Sequence, residues 1–142
     1  MEFAIRVRMG NGDAHYGGNL VAGAKVLGLF GDAATGLLIT TDGDEGLFLA
    51  YQEVRFLAPV YAGDFLEVRA AVTKIGRTSR TMKFEAWKII AAQPELGSSA
   101  ADLLPQPILV AEASGTCVVP ANRQRKVLEH GKTDNHSSPD RG

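Results

Sequence analysis

Phe56-Leu57-Ala58-Pro59-Val60-Tyr61-Ala62-Gly63-Asp64 lies between two strand-like runs, and the way it divides them sets the architecture. Pro59 fixes φ and has no N–H to give a neighbouring strand, so the run before it must leave its sheet there. Gly63 lets the backbone turn tightly before Asp64. Outward from this segment, Leu47 to Leu57 carries aromatic and branched residues and reads as a strand, and Asp64 to Ile75 reads as the next. Gly76-Arg77 signals a turn, and Thr78 to Ile90 a third strand. Ala92 to Pro107, rich in Pro, Ser and Ala, reads as a long loop, and Ile108 to Val119 as a last strand stopped by Pro120.

Upstream, Thr41-Asp42-Gly43-Asp44 ends a helical pattern that begins at Leu20. Leu20, Ala24, Leu27, Gly31, Ala34 and Leu38 fall on one stripe, and Asn19 is placed to cap the helix with its side-chain oxygen. Interior glycines weaken such a helix by about 1 kcal/mol each against Ala, so tertiary packing must hold it. Phe3 to Met9 alternates, with Ile5, Val7 and Met9 on one face and Arg6 and Arg8 on the other, as in a short strand. The expected order is strand, long helix, then four strands in meander. One helix covering one face of an antiparallel sheet makes an α+β domain. Sheet edges and helix flank stay uncovered, so a homodimer is the expected minimal unit, with tetramer or hexamer open.

The 142 residues suit one domain over 1–122, followed by a polar tail over 123–142 whose composition predicts disorder. A formal net charge of -1 gives no pull toward nucleic acid or anionic membrane. The single cysteine, Cys117, excludes an internal disulfide and reads as a buried apolar thiol. Met1 to Arg6 lacks a signal-peptide pattern, and no apolar run reads as long enough to span a bilayer, so a cytoplasmic location is expected. Gly10-Asn11-Gly12 lacks the strand-to-helix context of a nucleotide-binding glycine loop, and metal-ligand spacing is missing; no cofactor is expected.

The 56–64 segment resembles the F-L-x-P-V-x-x-G-D stretch of hotdog-fold acyl-CoA enzymes. Gly76-Arg77-Thr78-Ser79 followed by Phe84-Glu85-Ala86-Trp87 resembles their G-x-T-S and E-x-W strand. Together they imply a hotdog fold over roughly Phe3 to Pro120, a curved antiparallel sheet wrapped around one long central helix. Three further stretches narrow the resemblance: Asp13-Ala14-His15-Tyr16-Gly17-Gly18-Asn19-Leu20-Val21, Leu29-Phe30-Gly31-Asp32-Ala33-Ala34-Thr35, and Asp42-Gly43-Asp44-Glu45-Gly46-Leu47-Phe48. They are similar to the β-aminoacyl-CoA ammonia-lyases of amino-acid fermentation, which act on β-alanyl-CoA or 3-aminobutyryl-CoA and leave a 2-enoyl-CoA. Many hotdog thioesterases carry an acid on the helix seven positions after the second glycine. Counting from Gly18 gives Lys25, which counts against hydrolysis without excluding it. An acyl-CoA thioesterase and a non-catalytic acyl-CoA-binding subunit are the alternatives.

Eliminating ammonia from a β-aminoacyl thioester requires a base for the α-proton, donors for the thioester oxygen and an acid for the leaving amine. A placed proton-transfer group contributes about 10²–10⁴-fold and each preorganised oxyanion donor about 10²–10³-fold. The resemblance implies that Gly17, Gly18 and Asn19 offer backbone N–H groups at the helix start, against the simpler reading of a plain turn. His15 is a proton shuttle, a thioester contact or a surface residue, and Tyr16 a donor or a hydrophobic staple. Asp32 shares a stripe with Val21, Lys25 and Leu29 and reads as the base, as an anion for the substrate ammonium, or as half of a surface ion pair. Asp13 and Glu45 are the alternative carboxylates; Asp13 is also placed to orient His15, and Glu45 otherwise reads as a solvated loop residue. Arg77, Arg80 and Lys83 are candidates for the coenzyme A phosphates, with Thr78 and Ser79 as hydrogen-bond donors.

Overall fold

A computed structural model describes residues 1–126. Five strands, β1 (Glu2–Arg8), β4 (Leu47–Phe56), β5 (Phe65–Ile75), β6 (Ser79–Ala92) and β7 (Ala101–Val118), form one antiparallel sheet in the order β1-β5-β6-β7-β4. Two short strands, β2 (Ala14–Tyr16) and β3 (Leu20–Val21), pair beside it. The helix α1 (Gly23–Asp42) packs across the inner face, touching β1, β4, β5 and β6. The expected α+β architecture is therefore present.

The strands do not all meander. After α1 the chain enters the sheet at its far edge: β4 pairs with β7, not with β5. The crossover 57–64, with Pro59 in it, carries the chain from that edge back to β5 beside β1. The long loop expected over 92–107 is also shorter, because β7 begins at Ala101. Pro105 and Pro107 hid those residues from a strand reading. They sit where the β6–β7 register breaks, between the pairs Lys88↔Ile108 and Ile90↔Leu103, so no ladder N–H is asked of them.

Alternation is clean along β6, where Arg80, Met82, Phe84, Ala86 and Lys88 face α1. The facing residues of α1 are Val26, Leu29, Phe30, Ala33, Ala34, Leu37 and Leu38, a three-and-four spacing that gives a broad apolar face. Phe30 stacks on Phe84 at 5.3 Å between ring centroids, and Phe48 also stacks on Phe84 at 5.8 Å. Of the stripe expected from the sequence only Ala34 and Leu38 are buried; Ala24 is exposed and Leu20 lies outside the helix. The core is filled by the large residues roughly a quarter turn away. The stripe proposed for Val21, Lys25, Leu29 and Asp32 also dissolves, since Val21 is in β3, Leu29 is buried and Asp32 is exposed.

By length and composition α1 qualifies as a membrane-crossing helix, with 20 residues and a mean hydropathy of 1.2, contrary to the sequence expectation. In this fold its apolar face is occupied by the sheet. The helix ends at Asp42, and the following segment returns to that end: the Arg125 N–H donates to Asp42 O at 2.9 Å and Lys126 Nζ to Thr40 O at 3.0 Å. These residues were assigned to the tail by composition; residues 127–142 of that tail lie outside the described residues.

Candidate active site

The sheet has two ends, and the candidates divide between them. Arg8 pairs with Phe65 at one end and Ile75 with Arg80 at the other, roughly 30 Å away along β5. The helix start, the glycine loop and the 57–64 crossover share the first end. The helix stop, Glu45 and the Gly76–Ser79 turn share the second.

At the first end, Asp13 is fixed from two sides. Its Oδ2 accepts the Gly10 N–H at 2.8 Å and its Oδ1 lies 3.2 Å from Lys25 Nζ in the first turn of α1. The Gly10 N–H and then the Lys25 ammonium hold this carboxyl below its ordinary value. Asp13 therefore anchors the loop to the helix, and its oxygens are bonded to Gly10 and Lys25 and not to His15, which it was expected to be placed to orient. His15 and Tyr16 are both exposed and meet edge to face at 4.6 Å between centroids. With Tyr16 57% exposed, the hydrophobic-staple reading fails in this chain.

Gly17–Asn19 forms a single tight turn in which Gly18 (φ 70°) and Asn19 (φ 63°) are both left-handed. Gly18 takes that conformation at no steric cost, and Asn is among the few other residues that tolerate it. Asn19 accordingly does not cap the helix. α1 begins only at Gly23, with Ala22 in the capping position and no side-chain bond to the first turn. What Asn19 does is accept the Ala62 N–H on its carbonyl at 3.0 Å. A Cβ built on Gly17 or Gly18 would meet no heavy atom within 4 Å, so this backbone is open to an approaching group.

Two hollows flank the turn. An apolar one of about 430 Å³ lies between the helix start and the crossover, lined by Val21, Gly23, Val26, Phe56, Pro59 and Val60 among others. A more polar cleft of about 640 Å³ is lined by Arg8, Asn11, Gly18, Asn19, Tyr61 and Ser98 among others. The crossover is the wall between them. It is held by two buried residues whose side chains the sequence reading did not single out, Asp64 and Lys88, which lie 3.0 Å apart. The signal was present in Gly63-Asp64, an acid placed directly after a turn at the start of an apolar strand.

At the second end the coenzyme A assignments separate. Arg77 is exposed, and Thr78 and Ser79 are partly so. Arg80 is fully buried and cannot reach a phosphate. Its Nε and Nη2 donate to the two oxygens of Asp42 at 3.0 and 2.8 Å, and its Nη1 donates to the carbonyls of Gly76 and Ser79 at 2.9 Å each. Strand alternation explains the correction: Ser79 points outward, so Arg80 must point in. Lys83 lies on the outer face, 4.0 Å from Glu85. Glu45 and mid-helix Asp32 are exposed, and the ion pair considered for Asp32 is absent among the described residues. Cys117 is buried, and burial pushes its thiol up to about 11. Tyr51 donates to Leu27 O at 3.1 Å, and burial, with Cys117 second, pushes its hydroxyl up to about 12.

Comparison with known proteins fits this layout. Residues 14–90, from β2 into β6, match the family model of the thioesterase superfamily. The chain is also 56% identical, over 126 residues, to the 3-aminobutyryl-CoA ammonia lyase of Acetoanaerobium sticklandii, covering 89% of this chain and 100% of that one. The chain belongs to the β-aminoacyl-CoA ammonia-lyase family. Among solved structures, the β-alanyl-CoA:ammonia lyase of Clostridium propionicum superposes on this family member with a TM-score of 0.83 and 35% identity, covering 94% of this chain and 92% of that one. A hexameric hotdog-fold thioesterase of Campylobacter jejuni gives a TM-score of 0.68 at 17% identity, covering 84% of each chain, which establishes the shared hotdog fold. Lys25, the position seven after Gly18, is engaged with Asp13 in this chain.

Proposed function

We propose that the protein catalyses the reversible elimination of ammonia from a β-aminoacyl-CoA, 3-aminobutyryl-CoA or β-alanyl-CoA, to give the 2-enoyl-CoA. The observation that carries this reading is the 56% identity to a 3-aminobutyryl-CoA ammonia lyase over that protein's entire length. The open backbone at Gly17–Asn19 supplies N–H groups for the thioester oxygen, where charge develops as the α-proton leaves. Tyr16 lines the approach to that turn.

The active unit is a homodimer. Of the two sheet edges, β1 carries Glu2, Arg6 and Arg8, whereas β4 exposes Leu47, Leu49 and Phe56 at 63%, 66% and 55% and holds its two charges, Glu53 and Arg55, in an ion pair with each other. A charged edge resists strand addition and an apolar one invites it. Two β4 strands related by a two-fold axis run antiparallel, which sets the Glu45 end of one protomer beside the Phe56 end of the other. Glu45, Arg77, Thr78 and Ser79 of the partner then come to the glycine loop of the first. The base is chosen among carboxylates brought there, Glu45 from the partner and Asp32 from the helix flank, with His15 as proton shuttle. Asp13, held ionised by Gly10 and Lys25, suits attraction of the substrate ammonium better than proton transfer. Arg77, Thr78 and Ser79 serve the coenzyme A phosphates.

Purified protein with crotonyl-CoA and ammonium tests the proposal by mass spectrometry. Formation of 3-aminobutyryl-CoA, or of β-alanyl-CoA from acryloyl-CoA, with no free coenzyme A is the expected result. Free coenzyme A without amination would replace it with hydrolysis.

A further inference from the structure

Lys88 stands on the inner face of β6, in line with Met82, Phe84 and Ala86, and its side chain is only 9% exposed. The elimination chemistry makes no use of it. Its Nζ lies 3.0 Å from Asp64 Oδ2, donates to Pro59 O at 2.9 Å and sits 5.4 Å over the Tyr61 ring. Asp64 accepts two backbone N–H groups in addition, from Tyr61 on Oδ2 and from Ala92 on Oδ1, each at 2.8 Å. A buried pair of this kind is a poor stability device, because well-packed apolar residues of the same volume do as well or better. What apolar residues lack is direction. Here four directed contacts fasten Pro59, Tyr61 and Asp64 of the crossover to β6, and the Tyr61 N–H ties the crossover to Asp64 from within.

The crossover, in turn, fastens the glycine loop. Ala62 N–H donates to Asn19 O at 3.0 Å, Val21 N–H donates to Val60 O at 2.8 Å, and Leu20 bridges Tyr61. Outside the β2–β3 pair, these are the backbone links that hold residues 17–21 to the rest of the fold among the described residues. We infer that the buried Lys88–Asp64 pair is a positioning clamp that acts through the 57–64 crossover to fix the Gly17–Asn19 N–H groups for the thioester oxygen. Lys88 touches neither the loop nor the reacting atoms; it is a positioning residue. The inference rests on the ammonia-lyase reading for its catalytic consequence but not for its mechanical one.

Lys88→Met removes the ammonium and keeps the length of the stem. Lys88→Met/Asp64→Asn also removes the buried carboxylate that the single variant leaves alone, and keeps the test open where the single variant does not fold. Misplacing a donor by about 1 Å costs on the order of 10²-fold in rate. The expected result in the amination of crotonyl-CoA is therefore a fall in kcat of about 10- to 100-fold, with KM changed less than about threefold and no shift of the pH profile. Amide hydrogen exchange of residues 15–22 and 57–64 should quicken by at least about tenfold while that of α1 stays unchanged. Unchanged exchange at 15–22, or faster exchange with kcat per folded protomer intact, overturns the clamp. If the wild type aminates neither crotonyl-CoA nor acryloyl-CoA, the ammonia-lyase reading fails instead, and exchange at 15–22 alone decides the clamp.

Discussion

Arg80→Met separates two roles for one residue. A coenzyme A ligand on the surface would lose substrate affinity and little stability. The structure places Arg80 at 0% exposure against Asp42, also 0% exposed, so the variant strands a carboxylate to which, among the described residues, only the side-chain hydroxyl of Thr41 stays bonded, at 2.9 Å. It also removes the donors to the carbonyls of Gly76 and Ser79. Breaking a buried ion pair from one side costs about 3–5 kcal/mol. For a chain of 142 residues each kcal/mol moves the unfolding midpoint by about 3–5 °C, so the midpoint should fall by roughly 10–20 °C. Thermal and urea unfolding followed by circular dichroism measure this. The double variant Asp42→Leu/Arg80→Met, which leaves no unpaired charge, should recover at least half of the loss. Well below the midpoint, KM for crotonyl-CoA should stay within about twofold of wild type. An Arg80→Met protein that unfolds like wild type but needs ten times more thioester would refute the buried-pair argument and restore the phosphate role.

Asn19→Gly should keep kcat within about threefold, because glycine accepts φ near 63°, whereas Asn19→Val should lower stability by about 1–2 kcal/mol and kcat with it; a large loss in the glycine variant would mean that the amide side chain itself touches substrate. Cys117, with its thiol near 11, is about one-thousandth thiolate at pH 8 and should resist a disulfide reagent in the native protein while reacting fully in urea; fast native labelling would contradict its burial. Asp13 has a depressed carboxyl, so its contribution to stability is complete above its unfolded value near 3.8 and is lost as pH falls through the lower folded value. Lys25→Met should raise the Asp13 midpoint seen by NMR only part of the way to 3.8, because the Gly10 N–H remains, and should cost less than about 1 kcal/mol at neutral pH.

The elements were legible where one strong local signal set them. Gly43 after Asp42 marked the helix stop, Pro59 marked the strand exit, and the alternation in Phe3 to Met9 marked the first strand. The helix start was not legible, because Asn19 before an apolar run looks like a cap from sequence. Only its backbone angle shows that it turns the chain instead. The buried face of α1 was misjudged for a related reason. The stripe read from the sequence took in Ala24, Gly31 and Ala34, whereas Leu29, Phe30 and Leu37 had the area to drive burial. Strand pairing was less legible still, since no local property of Leu47 to Phe56 says whether it joins β5 or β7.

The site was harder than the fold because its candidate residues do not gather in one place within a chain. Asp13, His15, Tyr16 and Gly17–Asn19 gather at one end of the sheet, as contiguity suggests, while Glu45 and Arg77–Ser79 lie at the other. No repacking of a single protomer closes a gap of roughly 30 Å between them. The two-fold axis through β4 proposed above would do so without moving any element, by exchanging the two ends. It would also cover the exposed Leu47, Leu49 and Phe56 of that edge strand. A charge placed on the β4 edge, such as Leu49→Lys, should therefore convert the protein to monomers by analytical ultracentrifugation and abolish amination together with dimerisation. Full activity in a monomeric Leu49→Lys protein would show that one protomer carries the whole site, and that Glu45 and Arg77 have no part in it.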